Sequence, residues 1–136
     1  MKKNALVSLL FVLSSCTFYS NSSTSKNSIS EESRVYISSN EVFNIKTPHF
    51  CYFFLSTCAS CESIKSKIEL YAKEHEDFYM VETPNSYQKG ISREDNIGVK
   101  CVDDIKFLGF PTLVYIENCT LVKMYVGINE ITNILF

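Results

Sequence analysis

Cys58 and Cys61, two cysteines with two residues between them, are the side chains whose type and spacing most directly suggest chemistry. Thiols so placed can exchange with other disulfides, form half of a metal site, or close a structural bridge. A zinc site usually takes four nitrogen or sulfur ligands, often from a second closely spaced pair. His49, His75, Cys101 and Cys119 are scattered and supply no such pair. A bridge across so short a segment closes almost no loop, so it stabilises little. Disulfide exchange is the chemistry that the spacing favours.

Exchange needs a thiolate, and the surrounding pattern provides for one. Residues 50–55, Phe-Cys-Tyr-Phe-Phe-Leu, form an unbroken apolar run that reads as a strand buried on both faces. A helix pattern follows at once. Cys61, Ile64, Ile68, Tyr71 and Ala72 share one stripe, with Glu62, Lys65, Lys67, Glu69, Lys73 and Glu74 on the other sides. Ser56 or Thr57 is placed to cap this helix, and Cys58 falls in its first turn. The first amides of a helix lack internal partners and carry partial positive charge. A cysteine there commonly titrates at about 3.5–7.5 rather than about 8.5. Cys61, one turn further in, lies on the apolar stripe. The pair therefore combines an accessible attacking sulfur with a shielded resolving one, as dithiol exchange requires.

The rest of the chain supplies the frame. Residues 35–37 suggest a short strand and 38–45 a helical turn capped by Ser38 or Ser39 and closed by Pro48. Residues 78–81 form the next strand, so the centre reads strand–helix–strand. Pro84, Gly90 and Gly98 interrupt 83–104, where a short helix is expected because long structureless loops are uncommon. Cys101, Ile105 and Leu108 could share its face. Residues 112–116 are a strand, 117–120 a turn, and 121–126 a strand with Val122, Met124 and Val126 on one side. After Gly127, residues 129–136 can form a short amphipathic helix. The expected order is β-α-β-α-β-α-β-β-α. Phe50, Tyr52, Phe53 and Phe54 belong to the core, and the charged sets Glu31–Glu32 and Lys65, Lys67, Lys73 to solvated surface. His49 reads as a loop residue, and His75 as a complement to a helix C-terminus.

The chain begins with Lys2 and Lys3, followed by a nine-residue apolar stretch, 5–13, broken only by Ser8. That is too short to span a bilayer, which takes about 20 residues, and reads as a signal segment, 1–15. Leu13-Ser14-Ser15-Cys16 resembles the bacterial lipobox, which implies cleavage before Cys16 and attachment of a diacylglycerol there. Each buried methylene of such an anchor contributes about 0.8 kcal/mol. In 17–33, seven of seventeen residues are serine. So little apolar surface cannot offset the entropy of ordering, so 16–33 reads as the lipidated cysteine and a flexible Ser/Asn-rich tether. The folded domain is then 34–136. The alternative is a secreted or periplasmic protein without the anchor. Net charge is −2, and no basic patch argues for nucleic acid. Cleavage would remove two of the 13 basic side chains and none of the 15 acidic ones, leaving −4.

The domain resembles the thioredoxin family. The resemblance rests on the apolar strand 50–55, on Cys58-Ala59-Ser60-Cys61 opening a helix, and on Gly109-Phe110-Pro111-Thr112 before the next apolar strand. Residues 121–126, Gly127 and the terminal helix follow in the family's order, and the likeness covers about 35–136. It implies an α/β fold with a central mixed β-sheet flanked by helices. It also implies a cis peptide before Pro111, with Thr57, Phe110 and Pro111 bordering a substrate groove beside the catalytic pair Cys58 and Cys61. The chain departs from the family at three places. Thr57 stands where tryptophan is usual, and there is no tryptophan anywhere. Ala59-Ser60 replaces Gly-Pro. Tyr52 stands where a buried acid lies six residues before the first cysteine, and a phenol of pKa about 10 is a poor base near neutral pH.

Cys51, Cys101 and Cys119 are left over. In the family's arrangement Cys51 and Cys119 lie at the end opposite the active site, where a Cys51–Cys119 bridge would be geometrically open and a small buried Cys51 thiol is the simpler reading. Together these features suggest an extracytoplasmic, membrane-anchored bacterial thiol–disulfide oxidoreductase. It would act on protein thiols and disulfides with a membrane or soluble redox partner, and need no metal or organic cofactor. The alternative is a non-catalytic lipoprotein of the same fold that holds a partner, its disulfide locked.

Overall fold

The computed structural model describes residues 34–136. The expected signal segment, Cys16 and the tether lie outside the described residues. The strands are β1 (His49–Phe54), β2 (Phe78–Glu82), β3 (Gln88–Lys89), β4 (Lys106–Phe107), β5 (Thr112–Glu117) and β6 (Thr120–Val126); the helices are α1 (Ala59–Glu74) and α2 (Ile128–Leu135). Four strands form a mixed sheet in the order β2-β1-β5-β6. β1 runs parallel to β2, to which α1 connects it, and antiparallel to β5; β5 and β6 form an antiparallel hairpin.

The unbroken apolar run of β1 follows from burial on both faces. Tyr52 and Phe54 pack with Cys61, Ile68, Phe78, Leu113 and Ile131. Cys51 and Phe53 point the other way, into Val81, Ile105, Phe107, Val114 and Leu121. Successive strand side chains alternate between faces, so a strand covered on both sides needs apolar residues at every position. A fully buried side chain of the size of Phe53 contributes about 1.5–3 kcal/mol. Three stripe residues of α1, Cys61, Ile68 and Ala72, are fully buried, and Ile64 and Tyr71 pack at the margin of that core.

Several elements differ from the sequence-based expectation. Residues 35–37 contribute a single parallel bridge, Tyr36 to Met80, with the Ile37 amide donating to the Met80 carbonyl at 3.0 Å. Residues 38–45 form successive turns, in which the Ser38 amide and hydroxyl both donate to Glu41 Oε2 at 2.8 Å. His49 is fully buried at the start of β1; its Nδ1 lies 2.7 Å from the Thr47 carbonyl and its Nε2 2.9 Å from the Val42 carbonyl. His75 does finish α1, with Nδ1 2.8 Å from the Tyr71 carbonyl.

The short helix expected within 83–104 does not form. Two 3-10 turns, Glu94–Asn96 and Val102–Asp104, take its place, with β3 and β4 pairing in parallel beside them. The turns close on their own carbonyls, but what ties the segment to the fold comes from distant residues. The fully buried Asn96 accepts from the Lys106 amide at 2.7 Å and donates to the Lys106 carbonyl at 3.0 Å. The Gly98 amide donates to Leu121, and the Leu121 amide to Val99, at 2.9 and 2.8 Å. Gly90 permits the close approach of β3 to β4: a Cβ there would lie 2.7 Å from the Lys106 carbonyl oxygen.

The β5–β6 hairpin turns through Asn118 and Cys119 at φ 52° and 55°. A two-residue turn with both central φ positive matches the twist of the strands it joins. Beyond it, the register shifts between Tyr115 and Ile116, which face Lys123 and Leu121. The extra residue, Val122, is a bulge, and the bulge turns Leu121 and Met124 to the same buried face. Met124 and Val126 share one core as expected, whereas Val122, at the bulge, falls outside it. A Cys51–Cys119 bridge is absent: Cys51 pairs with Val114 in mid-sheet and faces the core, while the Cys119 thiol, on the turn, points to the Ile45 carbonyl at 4.0 Å.

Candidate dithiol–disulfide site

β1 ends at Phe54, and four residues, 55–58, turn the chain into α1. The Cys58 amide closes this turn on the Leu55 carbonyl at 3.1 Å, and the Cys58 carbonyl accepts from Glu62 at 3.0 Å. Cys58 is itself the cap of α1: its Sγ accepts the Cys61 N–H at 3.1 Å. The expectation of a Ser56 or Thr57 cap, with Cys58 inside the first turn, is corrected by one position. A sulfur in the cap position receives an orphan amide directly, which a residue inside the turn would not.

Cys58 and Cys61 are joined as a disulfide, with their Cα atoms 5.2 Å apart. Their exposures differ in the direction exchange needs. Cys58 is half-buried, whereas Cys61 is 3% exposed within the α1 core. An incoming thiolate can reach Cys58, and Cys61 is the sulfur that leaves inward.

The opposite wall comes from the segment before β5. Phe53 pairs with Thr112 across the antiparallel β1–β5 ladder, which sets Pro111 at the same sheet end as the turn into α1. The Phe110–Pro111 peptide is cis, as the resemblance implies. Pro111 is buried; its carbonyl accepts from Gly127 at 2.8 Å, while the Thr112 hydroxyl donates to Gly109 at 2.6 Å. The first bond ties the proline to Gly127, just after β6, and the second closes the turn that spans it. Phe110 is half-buried against the core that also holds Cys58, and Thr57 is exposed beside Cys58.

Two aromatic neighbours of Phe110 were not legible in the sequence. Phe107 stacks on it at 4.9 Å between ring centroids, and Tyr87 meets it edge-on at 4.9 Å. Both come from 83–108, whose structure rests on tertiary partners, so no periodicity marked them.

On the other side of Cys61 lies a cleft of about 250 Å³ lined by Tyr36, Tyr52, Cys61, Glu62, Lys65 and Glu82 among others. Tyr52 is 1% exposed, and its hydroxyl has no hydrogen-bond partner. Burial pushes its phenol up, so it is a donor throughout the physiological range. Among the described residues no group of three or more His, Cys, Asp or Glu side chains is placed to hold a metal ion.

The arrangement of a βαβ unit, a dithiol pair at the start of its helix and a facing cis-proline is that of a thioredoxin-like fold. Comparison with solved structures agrees. The chain superposes on thioredoxin f from spinach chloroplast (long form) with a TM-score of 0.50 and 19% identity, over 77% of this chain and 86% of that one. Thioredoxins from Schistosoma mansoni (16% identity, 74% and 92% covered, TM-score 0.45) and Fasciola hepatica (20%, 69% and 81%, 0.43) also align. No family model and no curated protein sequence matches the chain. At 19% identity the likeness to thioredoxin f shows the fold alone, and the chemistry rests on the site.

Proposed function

We propose that this chain is a thiol–disulfide oxidoreductase acting on protein thiols and disulfides outside the cytoplasm, held at a membrane through Cys16. The observation that carries the reading is the geometry of the pair: a half-buried sulfur capping a helix on the Cys61 amide, bonded to a buried sulfur one turn further in. A substrate thiolate attacks Cys58, a mixed disulfide forms, and the Cys61 thiolate leaves. The substrate's second thiol then releases the dithiol form of the chain and departs as a disulfide. The reverse sequence reduces a substrate disulfide. Phe110, Pro111 and Thr57 form the groove in which the substrate lies. The signal segment and lipid site carry the extracytoplasmic part of the proposal from sequence alone.

Trapping tests it. In a Cys61→Ser variant of the full chain, Cys58 should accumulate mixed disulfides with other proteins, and Cys58→Ser should abolish them. If no adducts form and Cys58→Ser leaves thiol exchange unchanged, the disulfide is a locked structural feature and the chain is a binding module.

A further inference from the structure

We propose that the Tyr52 hydroxyl is the hydrogen-bond donor that receives the Cys61 sulfur when the disulfide opens, and that it thereby raises the reduction potential of the Cys58/Cys61 couple. The proposal rests on the exchange chemistry proposed above and assigns a role to a residue outside the cysteine pair.

Three observations meet at Tyr52. Its hydroxyl is buried and unpartnered, although buried polar groups are nearly always paired. Tyr52 and Cys61 line the same cleft and belong to the same core. The cleft is large enough for water and carries Glu62, Lys65 and Glu82 beside Cys61. In the disulfide state Cys61 has no charge and is a weak acceptor, which leaves the hydroxyl idle. Reduction changes this. An incoming thiolate attacks the Cys58 sulfur, the Cys58–Cys61 bond breaks, and its electron pair departs on Cys61. The new thiolate is a strong acceptor in an apolar core, where a donor has the greatest effect. Tyr52 supplies that donor, directly or through one water in the cleft. A second substrate thiolate then attacks its own sulfur in the mixed disulfide, expelling the Cys58 thiolate. The substrate leaves oxidised by two electrons, and the chain takes up protons from water.

A donor that acts only on the reduced form favours that form. The Cys61 amide differs in that it already meets the outer sulfur in the disulfide; it gains strength when that sulfur becomes a thiolate, so each sulfur has a donor in the dithiol state. A pair whose reduced form is stabilised is the better oxidant. Tyr52 acts by donation and takes no proton, which sets it apart from a buried acid at that position.

Tyr52→Phe removes only the oxygen. In the full chain, equilibrated with a dithiol–disulfide buffer, the variant should show a potential more negative by about 15–30 mV, a three- to tenfold change in the exchange constant. In a Cys58→Ser background the same change should raise the titration point of the Cys61 thiol. Thermal stability of the oxidised chain should not fall, because the hydroxyl has no partner to lose. A wild-type potential and an unmoved Cys61 titration would overturn the role of Tyr52 while leaving exchange intact. A loss of oxidised-state stability with no change in potential would assign Tyr52 to packing instead. A wild-type pair that never equilibrates with thiols would overturn the proposed function and this inference with it.

Discussion

Cys58 occupies a position where a helix needs an acceptor, and its sulfur provides one. The Cys61 N–H that would otherwise lack a partner points at it from 3.1 Å. The other cysteines show the contrast. Cys51 is buried within β1, and burial pushes its thiol up, so little thiolate forms there. Cys101 is exposed and Cys119 half-buried. Maleimide applied to the oxidised chain near neutral pH should therefore label Cys101 first and Cys119 more slowly. Cys51 should react only after denaturation, as peptide mass mapping would show. Labelling of Cys51 at the rate of Cys101 would mean that the central sheet opens in the native state. The substitution of Tyr52 for an acid also belongs to this scale. The sequence shows it plainly, but its consequence, an unpartnered hydroxyl sharing a cleft with Cys61, needed the fold.

Among the elements, those whose residues interact locally or alternate regularly were legible. The six-residue run of β1, the 3–4 stripe of α1 and the β-rich run of β5 each carry their own signal. The segment between β2 and β5 does not. Asn96 and Gly90 are ordinary loop residues until Asn96 is seen bonded to Lys106 and Gly90 leaving room for its carbonyl, and Tyr87 reaches Phe110 from the loop that leads into β3, which pairs with β4. The cap was misplaced for a similar reason: sequence rules favour oxygen acceptors, whereas here the Cys58 sulfur caps the helix. One tie between this segment and α2 can be tested by pH. Glu130 accepts the Val126 amide at 2.8 Å and Arg93 at 2.6 Å; first the amide and then the guanidinium hold its carboxyl below the usual range. A depressed carboxyl stabilises the fold above its unfolded value, and that contribution disappears as pH falls through the lower folded value. Glu130→Gln should therefore lower the melting temperature above about pH 5, by the equivalent of roughly 0.5 kcal/mol for so exposed a pair. The difference from wild type should shrink below about pH 4. A constant difference across that range would show that the carboxylate charge contributes nothing.

At the scale of the whole molecule, a sheet covered on both faces positions one disulfide at the end of β1 and leaves the outer sulfur reachable. The fold class was legible because both halves of the site, the CxxC before a helix and the proline before a strand, adjoin strong strand signals. Location is a separate question carried by the first 33 residues. Palmitate labelling in a bacterial host should be present in the wild-type chain and lost in Cys16→Ser; equal labelling of both would remove the anchor from the account. No helix among the described residues is long and apolar enough to cross a membrane.

The most direct test of the central claim is a pH titration of the Cys58 thiol in the reduced chain, followed by alkylation rate in a Cys61→Ser background. A sulfur received by the opening amides of α1 should ionise at least one pH unit below the ordinary thiol value of about 8.5. A midpoint at or above that value would contradict the account.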